Sequence, residues 1–187
     1  MKSKDQLRKK FIVLRQKKYF DVSNKKLLKL INFIKKKNKL KKNIFIALYY
    51  PSNFELDILK IIGNFKNSKT IFLLPKILDN SVLKFVEWNK FDILTVNKFG
   101  IPEPLDNKKK SHLPDIVLVP LLAFDCRRNR LGYGKGFYDR YLHKVKKLNK
   151  KIETIGVAFS FQRYKKIPTS NFDFKLNNIF TEKGFIK

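Results

Sequence analysis

The chain is poor in the residues that staple small secreted proteins and in those that let a backbone wander. One cysteine, Cys126, in 187 residues leaves no partner for an intramolecular disulfide, which suits a reducing compartment. Seven glycines and seven prolines are too few for a collagenous or low-complexity chain. Acidic residues number 15 against 43 basic ones, a net charge of +28. Even so, 43% of the residues are hydrophobic, which excludes a wholly disordered chain. No early apolar run resembles a signal peptide, and none approaches the roughly 20 residues of a membrane span. The expectation is a cytoplasmic protein with a single domain over residues 1–187.

Of the 43 basic residues, seven are arginine and 36 are lysine. Asparagine, isoleucine and phenylalanine are abundant too, a profile that fits a coding bias toward A/T-rich codons. A basic nucleic-acid-binding protein is the alternative, because clustered cations supply most non-specific affinity for DNA or RNA. The lysines are spread along the whole chain, however, so a solvated basic surface with no specific nucleic-acid partner accounts for them. The bias makes its exceptions informative. Arg127, Arg128, Arg130 and Arg140 hold four of the seven arginines, and Gly132, Gly134 and Gly136 hold three of the seven glycines. An arginine kept where lysine is the default argues for a planar, multi-donor fork. Glycines kept where glycine is scarce argue for a backbone that turns sharply or meets a ligand closely.

Both arguments point at residues 115–148. Asp115 to Pro120 is apolar and β-branched and reads as a buried strand. Tyr138, Tyr141, Leu142, Val145 and Leu148 recur at helical spacing. Between them Gly132-Tyr133-Gly134-Lys135-Gly136 feeds straight into the helix. Strand, glycine loop and helix together present backbone N–H groups and a positive helix end to an anion, so the segment reads as a phosphate site. It is neither a P-loop nor a Rossmann fingerprint.

Elsewhere the spacing predicts helices over residues 4–19 and after Ser23, with Lys4, Arg8 and Arg15 on a face away from Leu7, Phe11 and Leu14. The lysine run Lys35 to Lys42 reads as a solvated helix end. Strands are expected at Ile44 to Tyr50, at Thr70 to Leu74 where Pro75 stops it, at Ile152 to Phe159, and near Asn178 to Thr181. Leu56, Leu59, Ile62 and Phe65 predict a helix. Val82 to Trp88 and Phe91 to Val96 read as strands or a hairpin, and Phe99 to Leu105, with two prolines, as irregular. Alternating strands and helices imply an α/β fold, with a mainly parallel sheet covered by helices on both faces in three layers, α/β/α. Ligands of such sheets bind beyond the carboxyl ends of the strands, where Glu55, Arg130, Asp139 and Asp173 can meet. Each of those acids also has a plain structural reading: Asp139 as a first-turn acid, Asp173 as a turn cap, Glu55 as a helix N-terminal acid.

Lys4 with Arg8 (K-x-x-x-R), Tyr50 followed by Glu55, Leu74-Pro75, Gly100-Ile101-x-Glu103-Pro104, VPLLAFD, RLGYGKGFYDR, IGVAFSFQ, Pro168, Asp173 and Ile179-x-Thr181-Glu182 span nearly the whole chain. Together they resemble the 5-formyltetrahydrofolate cyclo-ligase family. The resemblance implies a catalytic domain, acting as a monomer, that uses ATP and Mg²⁺ to convert 5-formyltetrahydrofolate to 5,10-methenyltetrahydrofolate. It places Lys4, Arg8 and Arg130, Leu131, Gly132, Tyr133, Gly134, Lys135, Gly136, Phe137 and Tyr138 around ATP, with Arg130, Lys135 and Tyr138 as catalytic groups. Asp139 and Asp173 would serve the metal; Tyr50, Glu55 and Tyr133 to Phe137 would face the folate. The chain departs from the family at Arg128, Ile58 and Asn177, the first bearing on loop shape and the others on substrate contacts. Another ATP-dependent small-molecule kinase on a similar scaffold is the remaining alternative.

Overall fold

The computed structural model describes residues 2–38, 43–65, 69–78, 82–105 and 110–186. In chain order its elements are α1 (Lys4–Lys18), α2 (Asn24–Asn38), β1 (Ile44–Ala47), a 3₁₀ segment (Leu59–Phe65), β2 (Thr70–Ile77), β3 (Leu83–Glu87), β4 (Leu94–Val96) and β5 (Pro102–Pro104). There follow β6 (Ile116–Pro120), β7 (Ala123–Phe124), β8 (Arg130–Leu131), α3 (Phe137–Leu148), β9 (Glu153–Val157), a 3₁₀ turn (Ser160–Gln162), β10 (Asn178–Thr181) and β11 (Gly184–Phe185). The end of the lysine run, residues 39–42, and most of the lysine-rich loop, residues 106–109, lie outside the described residues.

Seven strands form one sheet in the order β11-β10-β9-β6-β1-β2-β3. The five inner strands are parallel, and only the edge strands β3 and β11 run antiparallel. Successive strand residues face opposite sides, so each apolar run feeds two cores. Ile46, Phe72, Leu74 and Leu118 pack with Leu27, Leu30, Ile31 and Ile34 of α2 on one face. Ala47, Leu73, Val117 and Val119 pack with Leu142 and Val145 of α3 on the other. Each such side chain contributes roughly 1.5–3 kcal/mol by burial. The three-layer α/β/α arrangement expected from the alternation is therefore the one that forms.

Helix α1 covers neither face. A capping box starts it, Ser3 accepting from the Gln6 N–H at 3.2 Å while Gln6 accepts from the Ser3 N–H at 3.0 Å. Its Leu7 and Phe11 pack on Leu122, Ala123, Leu131 and Ile167, at the carboxyl rim of the sheet. The chain leaves β1 toward β2 on one side and leaves β6 toward β9 on the other. That reversal opens a crevice at the rim, and α1 lies along it.

Several local expectations need correction. Pro75 does not stop β2, which pairs with β3 through Pro75↔Phe85 and on to Ile77. The parallel ladder with β1 ends at Leu73, so the missing Pro75 N–H is on a side without a partner strand. Leu59–Phe65 is 3₁₀ rather than α, in keeping with the spacing of three between Leu56, Leu59, Ile62 and Phe65. The two-proline segment is partly regular: Pro102–Pro104 pairs antiparallel with Leu94–Val96, as a two-stranded ribbon tolerates proline on its open edges. Val82 to Trp88 and Phe91 to Val96 supply β3 and β4, in separate sheets and not as a hairpin. The glycine loop does not follow β6 directly, because the β7–β8 ribbon intervenes.

That ribbon turns on Asp125, whose carboxylate accepts from the N–H groups of Arg127 and Asn129 at 3.0 Å and of Ile167 at 3.1 Å. Arg128 stands there at φ +66°, a left-handed conformation that favours glycine. Arg128→Gly is expected to stabilise the protein by about 0.5–1 kcal/mol, less whatever the Arg128 bond to the Asn177 carbonyl contributes. A urea midpoint that falls instead would show the bond to outweigh the strain. No helix among the described residues is long and apolar enough to cross a membrane.

Candidate active site

The crevice widens into a cavity of about 1080 Å³. Lys4, Arg8, Tyr50, Glu55, Asp173 and the whole run from Arg130 to Asp139 line it, so every residue assigned from the sequence reaches one hollow.

The loop's shape comes from its glycines. Gly136, at φ +67°, is the N-cap of α3, and Gly134 sits at φ +101°. A β-carbon on Gly134 would stand 3.2 Å from the Arg8 guanidinium carbon. Turned this way, the backbone N–H groups from Tyr133 to Asp139 donate to no acceptor among the described residues. Consecutive free amides at a positive helix end make an anion cradle.

Arg130 projects into the same corner, 7% exposed. Its Nη2 donates to Asp139 Oδ1 at 2.6 Å, and that oxygen also accepts the Phe174 N–H at 3.0 Å. Asp139 therefore orients the guanidinium, beyond any part it plays in the helix dipole. The Arg130 Nε is buried and has no hydrogen-bond partner among the described residues, an orphaned donor of the kind a bound anion satisfies. Its guanidinium carbon lies 6.0 Å from the Tyr138 ring centroid. Leu131 turns its side chain into the core beneath α1, leaving its backbone for the cavity.

One face of α1 closes the site. Lys4 Nζ pairs with Asp173 Oδ2 at 2.6 Å, and Arg8 Nε donates to the Gly132 carbonyl at 3.0 Å. Arg15 Nη2 donates to the Tyr133 hydroxyl at 2.7 Å. The three cations fall on one side of the helix at 100° per residue, and that side meets the site, not solvent; Arg15 is 1% exposed. Sequence reasoning missed Arg15, although the scarcity of arginine in this chain was the signal that could have found it.

Across the cavity, Glu55 is buried in the loop after β1, well before the 3₁₀ segment, so it caps no helix. The Tyr133 hydroxyl donates to its Oε1 and the Ser52 N–H to its Oε2 at 3.0 Å. Burial pushes the Glu55 carboxyl up, against Arg15 at 3.9 Å, Tyr133 and Ser52, which favour the charged form. Burial, then the charge of Glu55, raises the Tyr133 and Tyr138 hydroxyls, so both stay protonated donors at neutral pH. Tyr133 as a whole residue is 40% exposed, but its hydroxyl end sits between Arg15 and Glu55.

The β4–β5 ribbon adds Asn97, Phe99 and Ile101 to the lining, which the sequence reading left out. Phe99 meets the Phe137 ring edge-on at 5.6 Å. Lys76 Nζ holds the Pro104 carbonyl at 2.8 Å, and Glu103 accepts from the Ile77 N–H and Asn97 Nδ2. Ile58 and Asn177, by contrast, stand apart from the cavity. Ile58 is core, and Asn177 Oδ1 accepts from the Thr154 hydroxyl at 2.8 Å, so neither departure lies on the cavity lining.

As to a metal, no three ligating side chains cluster among the described residues. A Mg²⁺ carried by nucleotide phosphates needs only one or two carboxylates. Asp139 fits, because its Oδ2 accepts nothing from the described residues. Asp173 fits only once Lys4 moves: its Oδ1 takes Lys4 at 2.8 Å, and its Oδ2 takes Lys4 and the Ser170 N–H, each at 2.6 Å. Burial raises the Asp173 carboxyl, but these donors outweigh it and hold the group below its ordinary value.

Residues 1–182 match the model of the 5-formyltetrahydrofolate cyclo-ligase family. The 5-formyltetrahydrofolate cyclo-ligase of Haemophilus influenzae is 34% identical over 141 residues, covering 72% of this chain and 73% of its own. A probable 5-formyltetrahydrofolate cyclo-ligase of Schizosaccharomyces pombe is 31% identical over 136 residues, 66% of each chain. The solution structure of Aquifex aeolicus 5,10-methenyltetrahydrofolate synthetase superposes with a TM-score of 0.74 at 31% identity, over 97% of this chain and 91% of that one. A match from the first helix to the last strands, on the same fold, settles the kinship: the chain is an enzyme of the 5-formyltetrahydrofolate cyclo-ligase family.

Proposed function

We propose that this enzyme uses ATP to close 5-formyltetrahydrofolate into 5,10-methenyltetrahydrofolate, with release of ADP and phosphate. The observation that carries the reading is the run of amides from Tyr133 to Asp139 that meet no acceptor among the described residues, beside the unpartnered Arg130 Nε and across one cavity from Glu55.

The chemistry explains why such a site suffices. A formamide oxygen leaves poorly, so N10 does not displace it unaided. The formyl oxygen attacks the γ-phosphorus, an O–P bond forms, and the bond to ADP breaks. N10 then attacks the formyl carbon, the C–O bond breaks, phosphate departs, and N10 gives up its proton to water. Phosphoryl transfer asks for alignment and charge neutralisation more than for a covalent nucleophile. The glycine-loop amides, Lys4, Arg8, Arg130 and Lys135 bind and align the triphosphate. The Tyr138 hydroxyl, kept protonated, supplies a further donor. Asp139, and Asp173 once Lys4 leaves it, would hold a Mg²⁺ that would neutralise phosphate charge. Glu55 accepts the N–H groups of the pterin, and Tyr50 lies along the folate.

The test follows the methenyl product's absorbance with 5-formyltetrahydrofolate and MgATP. An ATP-dependent rise is expected, with ATP turnover strictly dependent on the folate. Turnover without folate would indicate another small-molecule kinase, and no rise would end the proposal. Asp173→Ala is expected to increase the Mg²⁺ needed for half-maximal rate several-fold. An unchanged titration would leave Asp173 as the partner of Lys4 alone.

A further inference from the structure

Arg15 enters the site from the last half of α1, buried to 1% exposure, and belongs to none of the roles above. Its Nη2 donates to the Tyr133 hydroxyl at 2.7 Å. Its Nη1 lies 3.4 Å from the Leu121 carbonyl and 3.9 Å from Glu55 Oε1, the oxygen to which Tyr133 also donates. The guanidinium carbon stands 5.5 Å from the Tyr133 ring centroid. Arginine, guanidinium fork and all, is retained here in a chain whose default cation is lysine.

Among the described residues, the other groups facing Glu55 are Tyr49 just after β1, Tyr133 in the glycine loop, Tyr138 in α3 and Ser52 in its own loop, and none of these is a cation. A buried carboxylate deprived of its cation takes up a proton. A protonated Glu55 would turn one acceptor into a donor and lose its match to paired pterin N–H groups. We propose that Arg15 is a positioning residue, which keeps Glu55 charged and fixes the Tyr133 hydroxyl against it so that the folate subsite is set before substrate arrives. This rests on the reading of Glu55 as the pterin acceptor. Arg15 touches no reacting atom and acts through Glu55 and Tyr133.

The first experiment measures KM for 5-formyltetrahydrofolate against pH in wild type, Arg15→Met and Arg15→Lys. In wild type KM rises as pH falls through the Glu55 carboxyl. In Arg15→Met that rise begins at higher pH, giving a KM at least about 10-fold above wild type at neutral pH with kcat within about threefold. Arg15→Lys retains a charge and holds the midpoint near that of wild type. A KM increase of equal size at every pH, or a midpoint unmoved in Arg15→Met, overturns the proposal.

A second experiment needs no substrate and so separates this inference from the proposed activity. A carboxyl whose folded value lies above its unfolded value gives stability that is full below the unfolded value and is lost as pH rises to the folded one. Arg15→Met raises the folded value of Glu55 further and widens that window upward. The gap in urea midpoint between wild type and Arg15→Met is therefore expected to grow from about pH 5 to about pH 8, and Glu55→Gln in the Arg15→Met background is expected to remove the growth. A gap constant with pH marks Arg15 as a packing residue only. If Arg15→Met does not fold, recovery of the fold in Arg15→Met/Glu55→Gln supports the pairing, and failure of both overturns it.

Discussion

Arg130→Ala should lower kcat by about 10²- to 10³-fold, the usual effect of deleting one preorganised donor from a site of developing charge. Arg130→Lys should lose at least about 10-fold, because a lysine keeps the charge but not the fork. The fork has two tasks. Nη2 is spent on Asp139, and the buried Nε waits without a partner. A single ammonium can pair with Asp139 or reach a phosphoryl oxygen, but not both in the same geometry. The fold should survive either change, since Asp139 keeps the Phe174 N–H and is 22% exposed. Steady-state kinetics beside a urea titration separate the two effects. Wild-type kcat in Arg130→Lys would reduce the role of Arg130 to charge alone.

Glu55→Gln is the second large effect, and it should fall on the other substrate. A carboxylate accepts two N–H donors, whereas an amide turns its own N–H₂ toward one of them. Losing a charged hydrogen bond in a buried site costs about 1.5–3 kcal/mol, or roughly 10- to 150-fold in affinity. KM for 5-formyltetrahydrofolate should rise by about that factor while KM for ATP stays put. An equal rise in both constants would mean that Glu55 holds the cavity open rather than a pterin. The two variants thus test opposite walls of one hollow, and their effects should separate cleanly by substrate.

Much of this was legible in the chain before it was folded. The apolar runs at Ile44, Thr70, Ile116 and Ile152 alternate with helical patterns, and that alone dictates a parallel sheet with two covered faces. The glycine loop stood out because glycine and arginine are scarce. What sequence could not reveal is where α1 docks. Its apolar stripe of Leu7 and Phe11 is narrow and equally suits a sheet face, so helical spacing alone does not say which way Lys4, Arg8 and Arg15 turn. The β7–β8 ribbon, too short to show a period, supplies with Leu122 and Ile167 the seat that turns those cations inward. The ribbon of Pro102–Pro104 escaped for a related reason: proline argues against strands in general, but not against the open edge of a pair.

The seat of α1 also fixes the order in which the protein comes apart. The helix grips the rest through a small apolar cluster and through bonds that span most of the chain, such as Lys4 to Asp173, while the sheet keeps its two large cores without it. Elements with few buried neighbours detach first under thermal or chemical stress. Lifting that one clasp would take Lys4, Arg8 and Arg15 away together, so competence would be forfeited while the scaffold still stood.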